Sequence, residues 1–184
     1  RTLNIVRIGT SGSVQADIPV DSFVISEKSI GCDGVLRFYA NNESVCDHPF
    51  EEAFIRHCRW TPSAARPYVV NADPGLVDRL YDEEHTIKGV TLTAVGFYGP
   101  QGRVLRLPLA MPGINDRITA FRYEGYKVTN YEMESAAITG LCNLLGHRAA
   151  TICLIIANRI NGDASADYHS YMNKLIRYTL EKLS

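Results

Sequence analysis

Ala-Ala-Thr-Ile-Cys-Leu-Ile-Ile, residues 149–156, decides the fold of this chain. Eight residues with no charge and no break are too few to cross a bilayer, but they suit a strand covered on both faces of a sheet. The segments around this strand alternate between two periodicities. Ser135–Leu145, rich in Ala and Leu and followed by Gly146, predicts a helix; Ala166–Leu183 predicts a closing amphipathic helix beyond a polar loop at residues 162–167. Upstream, strands are expected at Leu3–Ile8, Asp21–Ile30, residues 36–40, Tyr68–Ala72, Ile87–Val95 and Lys127–Tyr131. Helices are expected from His48 to Trp60, with Pro49 in the first turn, and from Asp73, as a cap, through about His85. A further helix is expected from Asn115 to Glu124, ended by Gly125. Strands alternating with helices indicate a layered α/β fold with a parallel or mixed sheet.

At 184 residues the chain reads as a single domain, residues 1–184, with enough length for a substantial core. Nineteen Lys and Arg against twenty Asp and Glu leave a net charge of −1, which provides no long-range attraction to nucleic acid or to an anionic membrane. Any bound anion must be held by a local site. The five cysteines are scattered without a CxxC pair, as expected of reduced thiols in a cytoplasmic protein. Cys46, His48, His57 and Cys58 match no zinc spacing, so no metal site is expected. The chain opens on Arg1 and enters a strand pattern almost at once, so we expect a natural N-terminal portion to be missing.

Four segments carry candidate chemistry. Val6–Gly12 reads as a strand leaving through Gly-Thr-Ser-Gly, where exposed N–H groups, the hydroxyls of Thr10 and Ser11 and the Arg7 guanidinium would cradle a phosphate; a plain strand-to-turn exit has the same pattern. Gly96–Arg103, Gly-Phe-Tyr-Gly-Pro-Gln-Gly-Arg, combines the Phe97 ring with the Gln101 amide and the Arg103 guanidinium, a set able to stack on a planar ring and address its edge. Glu132 and Glu134 flank Met133 at a strand-to-helix junction. They would accept the hydroxyls of a ribose or, equally, favour the dipole of the following helix. Asn158 and Arg159 follow the most buried strand, at the same sheet edge, either as site groups or as surface polarity.

In this order, Val6–Gly12, Gly96–Arg103, Asn130–Ser135 and Asn158-Arg159 resemble the signature segments of the nucleoside phosphorylase-I family, most closely its uridine phosphorylase branch, over nearly the whole chain. The resemblance implies a three-layer αβα sandwich with a mixed central sheet. It implies reversible phosphorolysis of uridine to uracil and ribose 1-phosphate, with inorganic phosphate as co-substrate and no cofactor. Under it, Arg7, Thr10 and Ser11 bind phosphate. Thr10, Glu132, Met133 and Glu134 hold the ribose. Gly12, Phe97, Gln101, Arg103 and Ile156 surround the uracil, and Arg7, Glu134, Arg103 and Arg159 form the catalytic set. Purine-acting members usually carry Ser-Asp where this chain has Asn158-Arg159, which argues against purine chemistry. Members also have an N-terminal segment with a glycine-rich phosphate loop, and a neighbouring subunit completes each site, so a homodimer or hexamer is expected. Alternatives are another phosphorylase or a nucleosidase of the same family, or a non-catalytic nucleoside-binding or storage homologue.

Overall fold

The computed structural model describes residues 1–184. The strands are β1 (Asn4–Ser13), β2 (Phe23–Gly31), β3 (Tyr68–Asn71), β4 (Thr86–Thr93), β5 (Arg122–Tyr123), β6 (Tyr126–Glu132), β7 (Arg148–Asn158) and β8 (Asp163–Ala164). The helices are α1 (His48–Cys58), α2 (Pro74–Leu80), α3 (Ile114–Ala120), α4 (Ser135–Leu144) and α5 (Tyr168–Leu183). The mixed α/β fold expected from the alternation is present. The eight strands form a sheet in the order β3-β2-β4-β6-β1-β7-β8, with β5 paired to β6.

β7, the apolar strand of residues 149–156, runs parallel to β1 from Asn4 opposite Arg148 to Ser13 opposite Asn158. Its Ala150, Ile152 and Leu154 pack against Leu76, Val77 and Leu80 of α2 and Leu175 of α5. A second core holds Phe50 and Phe54 of α1, Ile118 of α3 and Phe121, with Phe121 edge-on to both phenylalanines. β2 does double duty. Its first half, Phe23–Ser26, pairs antiparallel with β7, and its second half, Lys28–Gly31, pairs antiparallel with β3. Because β2 also pairs with β4, the strands β2, β4, β6, β1 and β7 form a closed ring. Four of these strands share one buried hydrogen-bond chain: Ser26 Oγ to Thr91 Oγ1 (2.6 Å), Thr91 to Asn130 Oδ1 (2.9 Å), and Asn130 Nδ2 to Ser11 Oγ (2.9 Å). These buried polar groups therefore satisfy one another.

Helix starts follow local chemistry. Asp47, Asp73 and Asp167 each accept a hydrogen bond from a first-turn amide, that of Phe50, Leu76 and Ser170 respectively. α2 stops at Leu80, five residues short of the expected end, because Tyr81 turns extended and Asp82 gathers Glu84 N (3.1 Å) into a turn. Residues 36–40 are not a strand. Asp33 Oδ1 accepts Val35 N (3.0 Å) and Gly34 sits at φ 73°, so the chain enters a 3₁₀ turn at Val35–Phe38. α3 ends at Ala120, since Glu124 (φ 49°) and Gly125 (φ 81°) form the reverse turn of a β5–β6 hairpin. The polar loop after Gly162 contributes the short strand β8 beside Ala157 and Asn158. Residues 9–12 are not a turn either: β1 continues through them on its pairing with β7, with a bulge between Ser11 and Gly12. No helix is long and apolar enough to cross a membrane.

α4 leans on the 3₁₀ turn at one close point, where a methyl added to Gly140 would lie 2.3 Å from Leu36 Cδ1. Gly140→Ala should therefore destabilise the protein by about 1–3 kcal/mol through overpacking, outweighing the roughly 1 kcal/mol gain in helix propensity. Urea unfolding of the two proteins checks this, and a stabilised variant would contradict the packing.

Candidate active site

The C-terminal ends of β1, β4, β6 and β7 gather at one place: Gly12 stands opposite Tyr131 and Ala157, Ser13 opposite Asn158, and Thr93 opposite Glu132. Strand ends of α/β sheets are where ligands bind. These strand ends and the loops that leave them carry the four sequence segments, and the fold brings them together.

One end of the site is built on Arg7. Its side chain folds back over its own strand, so close to Gly9 that a Cβ there would come 2.6 Å from Nη1. Only glycine leaves that space, which explains the residue without a turn. Arg7 Nη2 is ion-paired with Glu134, and Nη1 lies 3.3 Å from Glu132 Oε2 and 3.3 Å from Cys153 Sγ. Burial pulls the Arg7 pKa down, but Cys153, Glu132 and Glu134 pull it up further, and the net shift is upward. Burial likewise raises the Cys153 thiol, to about 11.

The two glutamates do different work. Glu132 is buried; Oε2 accepts the amides of Glu134 and Ser135 (2.8 Å each) and Oε1 accepts Thr93 Oγ1 (2.5 Å). It is the anion at the start of α4, the helix-dipole reading of the sequence. Glu134 is half exposed at its side chain, 52%, and keeps its carboxylate toward solvent beside Arg7. Met133 between them is 39% exposed. Thr10 pairs with Leu154 one residue beyond Gly9. Ser11 points inward, 5% exposed, with its hydroxyl bound to Asn130.

At the other end, both oxygens of Gln101 collect donors. The buried side-chain oxygen accepts Arg103 Nη1 (2.8 Å) and Arg159 Nη2, and the main-chain carbonyl accepts Arg159 Nη1 (3.0 Å). Arg103 lies 3.8 Å over the Phe97 ring and Arg159 lies 4.5 Å over the Tyr131 ring. No ion pair neutralises either guanidinium. Burial, and then Arg103, lower the Arg159 pKa to about 10; burial also lowers that of Arg103. Arg159 Nε is buried without a protein partner and stands 3.4 Å from where a Gly12 Cβ would be. Arg159 thus stands between the Gln101 loop and the Gly12 end of β1. Asn158 anchors this turn: its amide donates to Gln15 O (2.9 Å) and Ile18 O (2.8 Å), and its Oδ1 accepts the amides of Ile160 and Asn161.

Ile156 falls outside the cluster. It packs on the α2/α5 face of β7 with Ile152 and Leu154. Residues absent from the sequence reading are Tyr131, Thr93, Cys153 and Asn115. Tyr131 lies inside the Asn130–Ser135 segment; the other three carry no local signal of a site role. A cavity of about 820 Å³ opens beside the base end, sharing Arg103 and Tyr131 and lined further by Trp60, Val95, Leu105 and Met111. The zinc-like residues have other partners: His48 pairs with Glu43 and Glu51, and His57 Nε2 meets Arg117 O at 3.0 Å.

Residues 2–179 match the phosphorylase superfamily, and the chain belongs to it. It is 36% identical over 160 residues to uridine phosphorylase A of Schistosoma mansoni, covering 86% of this chain and 49% of that protein. It is 26% identical over 164 residues to uridine phosphorylase of Thermococcus kodakarensis, covering 86% and 50%. The crystal structure of a Trypanosoma brucei nucleoside phosphorylase, described as showing uridine phosphorylase activity, superposes with a TM-score of 0.79 at 23% identity over 98% of this chain and 63% of that one. The chain spans about half the length of the curated relatives it matches.

The division between the glutamates is testable by stability. Glu132→Ala should cost about 3–5 kcal/mol, since it strips a buried carboxylate from Arg7 and two helix amides. Glu134→Ala, at an exposed pair, should change stability by less than about 1 kcal/mol. Urea unfolding distinguishes the two, and equal costs would contradict the assignment.

Proposed function

We propose that this chain carries the nucleoside-binding part of a uridine phosphorylase, a pentosyltransferase that converts uridine and inorganic phosphate reversibly to uracil and ribose 1-phosphate. The observation that carries the reading is the pair of unneutralised guanidiniums, Arg103 and Arg159, held on one amide at the end of the site away from Glu134.

In this reading phosphate binds at Arg7 and Thr10. It shares the Arg7 guanidinium with Glu134, whose carboxylate accepts the ribose 2′ and 3′ hydroxyls beside Met133. The uracil lies between Gly12 and the Phe97 loop. Its edge faces Gln101, whose oxygen is fixed by the arginines, so that the amide NH₂ is left to donate. Breaking the C1′–N1 bond sends its electron pair to the uracil ring, while a phosphate oxygen forms the new bond at C1′. The ring gains negative charge as the sugar becomes cationic. Two partly buried cations favour the first development, and phosphate with Glu134 favours the second. Aligning phosphate against C1′ adds an orientation gain. Ser11 and Glu132 contribute through Asn130 and the start of α4 rather than through ligand contact. The reaction needs no cofactor in this reading. A homodimer or hexamer, in which a neighbouring subunit adds to each site, and a cytoplasmic location consistent with five free cysteines complete the proposal.

Phosphorolysis assays with uridine, inosine and methylthioadenosine test it. Phosphate-dependent release of uracil is expected; cleavage of purine nucleosides alone, or uridine cleavage independent of phosphate, would overturn it. Arg159→Lys gives a second test. The burial and the Arg103 charge that lower Arg159 would act on a lysine whose ordinary pKa is about 10.4. Because a lowered cation is lost as pH rises, the variant's kcat/KM for uridine should fall at a lower pH than that of the parent. Superimposable pH profiles would remove Arg159 from the role.

A further inference from the structure

Asn115, on α3, lies outside every motif of the sequence and contacts no residue of the anion end, yet it fastens the base-edge loop. Its Nδ2 donates to the main-chain carbonyls of Gln101 (3.2 Å) and Gly102 (3.3 Å). Its Oδ1 accepts the Tyr131 hydroxyl (3.1 Å). Tyr131 in turn carries Arg159 on its ring at 4.5 Å, and Arg159 Nη1 donates to the same Gln101 carbonyl that Asn115 holds. The contacts close a circuit: Asn115, Gln101, Arg159, Tyr131 and back to Asn115. Gly102 fits because it sits at φ 70° and because a Cβ there would strike Asn115 Nδ2 at 2.5 Å. The loop is thus pressed against this one side chain.

We propose that Asn115 and Tyr131 are positioning residues for recognition of the nucleoside base: together they fix where Gln101 and Arg159 present their donors, without touching the substrate through the Asn115 amide. This rests on the uridine phosphorylase reading and deepens it. The physical case is one of geometry. Two like charges repel, and Arg103 and Arg159 converge only because Gln101 supplies oxygens to both. Gln101 is set by its main chain, and its main-chain carbonyl is shared by Asn115. Tyr131 is buried, and burial raises the pKa of its hydroxyl, which stays protonated as the donor to Asn115. The circuit has no member at the anion end, so its loss should be felt by the base and not by phosphate.

The test compares Asn115→Ala, Tyr131→Phe and the double variant, with KM and kcat for uridine and KM for phosphate measured separately. Tyr131→Phe keeps the ring under Arg159 and removes only the hydroxyl, so it guards against misfolding of the more disruptive change. Loss of this fastening predicts that Asn115→Ala raises the uridine KM on the order of tenfold to a hundredfold. Tyr131→Phe should raise it less, and phosphate KM should stay within about twofold of the parent in both. Because the two side chains share one bond, the double variant should lose no more than Asn115→Ala alone. Unchanged uridine KM in both single variants, or equal rises for uridine and phosphate, would overturn the inference. A parent protein that turns over no uridine overturns the functional reading itself, which separates the two failures.

Discussion

The Glu132 carboxylate ties together the elements that surround the site. Its two oxygens reach Thr93 at the end of β4, the first amides of α4 and, at 3.3 Å, Arg7 from β1, while its own backbone ends β6. A buried carboxylate is costly unless fully supplied with donors, and here the donors come from three different parts of the chain. The same group therefore fixes the angle at which α4 leaves the sheet and the place at which Arg7 can meet Glu134. Thr93 adds to this, since its hydroxyl oxygen also accepts Ala136 N at 2.9 Å. With Glu132 fully engaged, Glu134 is the carboxylate left accessible beside Arg7.

The base end works on an opposite electrostatic plan. Where Arg7 is surrounded by acceptors and its pKa is raised, Arg103 and Arg159 are left with neutral oxygens and aromatic faces, and burial lowers both. A site with neutralised charge at one end and unneutralised charge at the other is polarised before any substrate enters. Such an arrangement stabilises negative charge placed beside Arg103 and Arg159 better than positive charge. The aromatic rings under the arginines let the charges be buried without carboxylates that would cancel them.

Much of this was legible in the residues. The uninterrupted run at 149–156 announced a doubly covered strand, and Asp73 with Pro74 announced a helix start, because both signals are local. The segments that meet at the site were likewise visible from their residue types. What escaped depended on partners far along the chain. Gly9–Gly12 has the composition of a turn, whereas Gly9 makes room for Arg7 and the strand persists on its pairing with β7. Glu132 and Glu134 were indistinguishable at a spacing of two, and only the donors from Thr93 and α4 separate a structural carboxylate from an accessible one. Ser11 turned inward through Asn130, Ile156 fell on the far face of its strand, and Asn115 had no periodicity or motif to mark it.

The pairing of β2 with two different partners along its length has a consequence for how the molecule comes to be. Sealing the barrel brings residues 23–26 onto residues 151–154, a contact spanning most of the polypeptide. Such a closure is entropically slow to nucleate and rewards the chain only after the intervening helices are in place. The gathering of strand ends beneath the candidate site is completed by this same closure. The barrel and the gathered strand ends therefore rest on one long-range closure.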